Sequence, residues 1–226
     1  MKGTFWELKQ SGSRQDALEL YIYSTVEGDH WYEESETSAN HFRELLAMNA
    51  EAKQIDIYIN SLGGSVMEGI AIYNQLKRHS AHKTVHIDGF ACSVASVIAM
   101  AGDEVIMPKT AVMMIHNAWT IAAGNAAELR KVADDLDVIN KASRQAYLEK
   151  AGDKLTEEKL TALLDAETYL TADECLNLGL CDQVGEQPEE PQELHRQAEQ
   201  LARARLEAEL NARKSKAIAA LNKYFG

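Results

Sequence analysis

Thr84-Val-His-Ile-Asp-Gly-Phe-Ala-Cys-Ser-Val-Ala-Ser-Val-Ile-Ala-Met-Ala-Gly102 reads as a strand, a turn and a helix in succession. Thr84 to Asp88 alternates as a short strand does. Val94 to Ala101 is small and apolar, without Pro or Gly, as a buried helix is. Ser93 stands at the junction. There the unpaired N–H groups of a first helical turn, and the positive end of its dipole, would face the hydroxyl and favour a developing oxyanion. The plain alternative is that Ser93 is an N-cap, a position serine prefers for ordinary reasons.

Working outward, Ile55-Asp-Ile-Tyr-Ile59 is a further strand that runs into Asn60-Ser-Leu-Gly-Gly-Ser65. A helix to about His79 follows, with Val66, Ile70, Tyr73 and Leu76 turned inward. Strands alternating with helices, with turns at the strands' carboxyl ends, predict a ββα or βαβ progression in an α/β protein. Upstream lie a strand over Leu18–Tyr23, an acidic loop over Val26–Thr37, and a helix from Ala39 to about Ala52 capped by Ser38. The opening stretch to about Ser13 reads either as a flexible arm or as a pairing strand.

Downstream of Gly102, Glu104–Met107 and Ala111–Ile115 are short strands, and the second delivers His116 and Asn117. A long helix is expected from Gly124 to about Ala151, with Leu129, Val132, Leu136 and Ile139 at helical spacing. A helix closing at Leu164 comes next. Thr171-Ala-Asp-Glu174 then has capping-box spacing, its helix ends at Gly179, and a last strand covers Cys181–Val184. Beyond Gly185 the composition shifts to a Pro- and Glu-rich linker and a charged helix with a narrow apolar seam.

With 226 residues the chain can bury one full core and carry an appendage. A net charge of −12 argues against a nucleic-acid partner, which needs a basic face. No apolar run reaches membrane-spanning length and Met1–Lys9 lacks the apolar core of a signal peptide, so a cytoplasmic protein is expected. Cys92, Cys175 and Cys181 fit no zinc spacing and read as reduced core residues. His79, His82 and His86 lack a neighbouring carboxylate or thiol and do not make a metal site in sequence.

Acyl transfer by a serine needs a base within reach, a group that orients the base, and N–H donors for the tetrahedral oxyanion. Ser93 at a helix start, His116 at a strand exit and Gly63-Gly64 at another strand-to-helix exit can supply these parts. The Gly-x-Ser-x-Gly elbow of the α/β-hydrolases is absent, so the residues permit a triad without requiring one.

Asn60-Ser-Leu-Gly-Gly-Ser65 with Gly69, Ala71 and Tyr73 resembles the Asn-Ser-Pro-Gly-Gly segment of the Clp protease proteolytic subunit. Gly89-Phe-Ala-Cys-Ser93 is similar to that family's nucleophile segment, and Met113-Met-Ile-His116 to its histidine segment, in the same order and at matching intervals. The resemblance covers about Leu18 to Val184. It implies a ClpP/crotonase-like fold of stacked ββα units and a serine endopeptidase. Ser93 would be the nucleophile and His116 the general base and acid. The oxyanion donors would be Val94 N–H and a glycine of the Gly63–Gly64 pair, with Gly64 favoured. The acid position falls on Glu167, with Asp165 as the alternative.

The domain reading that follows is an arm over 1–17, a peptidase domain over 18–185, and a linker with a C-terminal helix over 186–226. No cofactor or metal is implied. A peptide or protein substrate and a homo-oligomeric ring are implied, with the long helix at a contact between rings. Leu62 and Ala118 stand where the housekeeping subunit has prolines, and Asn117 and the Glu-Thr-Tyr acid segment are closer to the phage and prophage members associated with prohead maturation. That resemblance points to a capsid protein as partner; the housekeeping type would instead work with an unfoldase ATPase. A catalytically silent assembly factor, or an acyl-CoA enzyme of the crotonase type that needs no Ser–His pair, are the competing readings.

Overall fold

The computed structural model describes residues 6–11, 16–27 and 38–185. Most of the expected acidic loop and all of the expected linker and C-terminal helix lie outside the described residues. The described residues fall into a main unit, up to Ala118 and again from Asp134, and a short second unit, Trp119–Ala133.

The main unit is built on a mixed sheet. Strands β1 (Trp6–Gln10), β2 (Ala17–Ile22), β3 (Gln54–Ser61), β4 (His82–Cys92), β5 (Glu104–Pro108) and β8 (Gln183–Gly185) lie side by side in that order, while β6 (Val112–Ile115) and β7 (Thr168–Thr171) extend from β4. From β2 to β8 the neighbours along this path are parallel, and β1 is antiparallel to β2. Parallel pairing requires crossovers, and α1 (Ala39–Met48) and α2 (Val66–Arg78) supply them between β2, β3 and β4. The expected ββα or βαβ progression is met, with βαβ crossovers over β2, β3 and β4.

Within the opening stretch, Trp6–Gln10 forms a pairing strand. Trp6 is buried and meets Phe42 of α1 edge-on, with ring centroids 5.2 Å apart. Phe42 itself is fully buried, so Phe42→Ala should destabilise the fold by about 3–5 kcal/mol, read as a lower denaturant midpoint. An unchanged midpoint would mean that this corner does not hold β1 to the body.

Several element ends follow local chemistry. Ser38 and Ser65 cap α1 and α2 by accepting the N–H of His41 and Glu68. Thr171 and Glu174 form a reciprocal capping box on α6 (Ala172–Leu178), which ends on a left-handed Gly179 as expected. α1 stops at Met48, four residues short of the expected Ala52. The inward face of α2 is Gly69, Ile72, Tyr73 and Leu76, and Ile70 is only half-buried. Gly69 is required there, because a Cβ would sit 2.1 Å from Val94 Cγ2.

In the second unit Asn125 and Glu128 close the start of α4 (Ala126–Ala151). Asn125 Oδ1 accepts from the N–H groups of Ala127 and Glu128, and Glu128 Oε2 accepts from Asn125 N–H. The later half of α4, in the main unit, buries Asn140, Ala146, Tyr147 and Ala151. Of the apolar stripe expected along its earlier part, Val132, Leu136 and Ile139 are half-buried and Leu129 is 44% exposed, while Val138, off that stripe, is 70% exposed.

Candidate active site

β4 is longer than either of its neighbours on one side, and this places the site. Its first half pairs with β5 and its last residues, Phe90–Cys92, pair in parallel with Val112–Met114 of β6. Ser93 and His116 therefore leave adjacent parallel strands at the same edge. On the other flank β3 shifts register between Ile59 and Ser61, so that Ser61 pairs with Ala91 and the Gly63-Gly64 turn arrives beside Ser93. Asn60 occupies the irregularity: its Oδ1 accepts from Phe90 N–H at 3.2 Å and would clash with any Cβ on Gly89. Carboxyl ends of parallel strands are where α/β proteins place their chemistry.

The Ser93 hydroxyl and His116 Nε2 are 2.7 Å apart. With Nε2 unprotonated, Oγ–H donates to it, the arrangement that removal of the serine proton requires. Ser93 is not the N-cap that a serine before a helix suggests. Its φ of 55° and ψ of −131° are off the usual capping conformation, and its side chain makes no cap hydrogen bond. A non-glycine residue at positive φ costs of order 1–3 kcal/mol and persists where the surroundings enforce it. Here Ser93 N–H donates to Met114 O at 2.8 Å, which locks the turn onto β6. The turn aims the hydroxyl at the imidazole. The helix behind it, α3 (Val94–Ala99), is two residues shorter than the apolar run implied, since Met100 already caps it.

The two glycines differ. Gly63 N–H donates to Ser61 Oγ at 3.1 Å and Gly63 O accepts from Val26 N–H at 2.8 Å. Ser65 N–H donates to Val26 O at 2.7 Å, so the Val26 bridge engages the residues on either side of Gly64 and leaves Gly64 N–H without a partner among the described residues. Neither position tolerates a side chain. A Cβ on Gly63 (φ +91°) would lie 2.5 Å from Ser93 Cβ, and one on Gly64 (φ +150°) would lie 2.1 Å from Val26 O. Ser61 and Val26 are the residues sequence reading missed. Ser61 stood inside the quoted loop motif, and Val26 gave no signal before the fold brought it to the loop.

On the far side of His116, β7 pairs antiparallel with β6, ending at Ile115 opposite Thr168. The residues next after that last pair are His116 on the β6 side and Glu167 on the β7 side. Glu167 follows α5 (Glu157–Asp165) in a left-handed conformation, φ 50°, and is exposed. Asp165, the alternative acid, is committed elsewhere: its Oδ1 accepts from Asn117 Nδ2 at 2.7 Å. Ala118 N–H donates to Asn140 Oδ1 at 2.7 Å, so the chain just after His116 is pinned to α5 and to α4.

Cys92, next to the serine, is buried, and desolvation pushes its thiol up to about 12, with only a backbone hydrogen bond from Met114 opposing. It is no nucleophile near neutral pH. Cys175 and Cys181 are buried too, as expected of core residues. The three histidines are dispersed: His86 stacks on Tyr58, His82 lies 3.7 Å from Asp103, and His79 Nδ1 accepts from Ala81 N–H. No helix among the described residues is long and apolar enough to cross a membrane.

The profile of the Clp protease family matches residues 31–188. The ATP-dependent Clp protease proteolytic subunit of Oltmannsiellopsis viridis is 32% identical over 145 residues, covering 62% of this chain and 73% of that one. The subunit of the same name from Chlorella vulgaris is also 32% identical over 145 residues, covering 62% and 71%. ATP-dependent Clp protease proteolytic subunit 1 of Streptomyces avermitilis is 31% identical over 157 residues, covering 67% and 71%. With the serine, the histidine and the paired glycines meeting at one edge of the sheet, and a family profile that spans more than half its length, the chain belongs to the Clp protease family.

Proposed function

We propose that the protein is a serine endopeptidase. Ser93 Oγ attacks a peptide carbonyl as His116 Nε2 takes its proton. The tetrahedral oxyanion rests on Gly64 N–H and Val94 N–H, and Glu167 orients the imidazole from the other side. His116 then returns the proton to the departing amine, and a water activated by the same imidazole releases the acyl group. The observation that carries the reading is the 2.7 Å contact between Ser93 and His116, made by a serine whose strained backbone serves no capping purpose. The test is covalent labelling with a fluorophosphonate, followed by mass mapping. The adduct is expected on the peptide containing Ser93, and an adduct elsewhere would overturn the assignment.

Contact between Gly63 and Ser93 gives a second expectation. Gly63→Ala forces a Cβ to within 2.5 Å of Ser93 Cβ at a φ that disfavours side chains. Displacing the nucleophile by a fraction of an ångström to an ångström should lower kcat/KM about 10^2-fold. Wild-type kcat/KM in that variant would mean that the loop does not set the serine's position.

The active form is a homo-oligomeric ring, supported by the exposed Leu129 and Val138 on α4 and by the family. The substrate class is protein. Asn117, Ala118 and a glutamate in place of aspartate support a phage-type enzyme acting on a capsid protein in prohead maturation. The names of the relatives favour a second reading, in which the ring works with an unfoldase ATPase. Cleavage of folded capsid protein without ATP supports the first reading, and a strict need for an ATPase supports the second.

A further inference from the structure

Directly behind Ser93 lies a polar chain to which the acyl-transfer scheme gives no task. Ser96, in α3, is fully buried. Its Oγ–H donates to the Ser93 carbonyl at 2.5 Å, and its own N–H reaches the same oxygen at 3.0 Å. Ser96 Oγ lies 2.7 Å from the hydroxyl of Tyr147, on the buried half of α4, and 3.4 Å from Met114 O. Met114 O is also the acceptor of Ser93 N–H. Both backbone polar groups of the nucleophile are thus held through one buried knot.

The direction of the chain follows from proton counting. A serine hydroxyl has one proton, and Ser96 gives it to Ser93 O, so Ser96 Oγ accepts from Tyr147 O–H. Tyr147 can always donate, because complete burial pushes its phenol far above the ordinary tyrosine range, and the hydrogen bond with Ser96 opposes that only in part. Linked hydrogen bonds polarise one another in a dry interior, so the tyrosine strengthens the grip of Ser96 on the carbonyl.

We propose that Tyr147 and Ser96 are positioning residues for the nucleophile: the relay Tyr147 O–H to Ser96 Oγ–H to Ser93 O holds Ser93 in the positive-φ turn that aims its hydroxyl at His116. Packing alone would be served by phenylalanine at 147. The relay ends on the residue with the strained backbone, where a fixed carbonyl decides which way the side chain points. The inference rests on Ser93 being the nucleophile.

The experiment uses the full-length protein and a fluorophosphonate. Single variants Tyr147→Phe and Ser96→Ala and their double variant are compared with wild type for labelling rate per titratable site, for kcat and KM on a peptide, and for melting temperature. Each single variant is expected to label about tenfold more slowly, with kcat reduced in step and KM little changed, and still to reach full stoichiometry. The double variant is expected to be no slower than Ser96→Ala alone, because both act through one chain. Wild-type labelling rates with a lowered melting temperature would show that the hydroxyls only stabilise the core, and would overturn the proposal. Additive slowing, or slowing in Ser96→Ala alone, would remove Tyr147 from the relay. If Tyr147→Phe fails to fold, Ser96→Ala still decides whether the carbonyl contact matters. A wild-type protein that does not label would overturn this inference and the peptidase reading together, whereas labelled wild type with unaffected variants overturns this inference only.

Discussion

Ser93→Ala is expected to lower peptide hydrolysis about 10^5- to 10^6-fold and to abolish fluorophosphonate labelling, while the fold stays intact. The size follows from how such groups act: nucleophile and base work as one device, and loss of either removes nearly all of the covalent route. His116→Ala should therefore cost about as much, and the double variant no more than either single one. What survives is the background from substrate binding and the backbone N–H donors. The structure makes the variant clean. The Ser93 hydroxyl makes no capping bond, so α3 loses no helix-terminal partner, and the turn is held by backbone groups that alanine keeps. Loss of activity with an unchanged melting temperature is the expected pair of readouts. Stoichiometric labelling of Ser93→Ala would assign the nucleophile elsewhere. Cys92 is a poor substitute, because burial pushes its thiol pKa up to about 12.

Much of this could be read from the chain before the fold was known, and the limits have physical causes. Strand and helix identities were legible because β2–β4 and α1–α2 carry clean periodicity, and because Ser38 starts α1 and Thr171 and Gly179 bound α6. Ser93 read as a helix cap on local propensity, since serine before an apolar run is ordinary. Tertiary constraint overrides that preference: β6 takes Ser93 N–H, and the residue is left at positive φ. The preference for Gly64 over Gly63 entered through family resemblance. A physical reason appears only when the fold brings Val26 and Ser61 to the loop and they consume the bonds around Gly63. The relay through Tyr147 had no signal in sequence, because residues 51 positions apart meet only after α4 packs. The stripe on α4 was read correctly as helical, but helical spacing alone does not say what covers it.

Glu167→Gly separates function from stability. Glu167 sits just beyond the last turn of α5, at φ 50°, where helices commonly place glycine because a Cβ is strained there. An L-residue in that conformation costs about 1–2 kcal/mol, and glycine would recover part of this while losing some in backbone entropy. Glu167→Gly should leave stability unchanged or raise it by up to about 1 kcal/mol. If the carboxylate orients His116 across the β6–β7 ladder, the same change should lower kcat about 10^3- to 10^4-fold, because an unsupported imidazole samples the wrong tautomer and loses its counter-charge. Asp165→Ala is the comparison. That carboxylate is bonded to Asn117, and its loss should cost far less, through looser anchoring of the chain after His116. Stability held or raised in Glu167→Gly together with collapse of kcat would identify strain kept for function rather than for folding. If Asp165→Ala proved the more damaging variant, the acid would be Asp165, and the strained turn at Glu167 would lose its explanation.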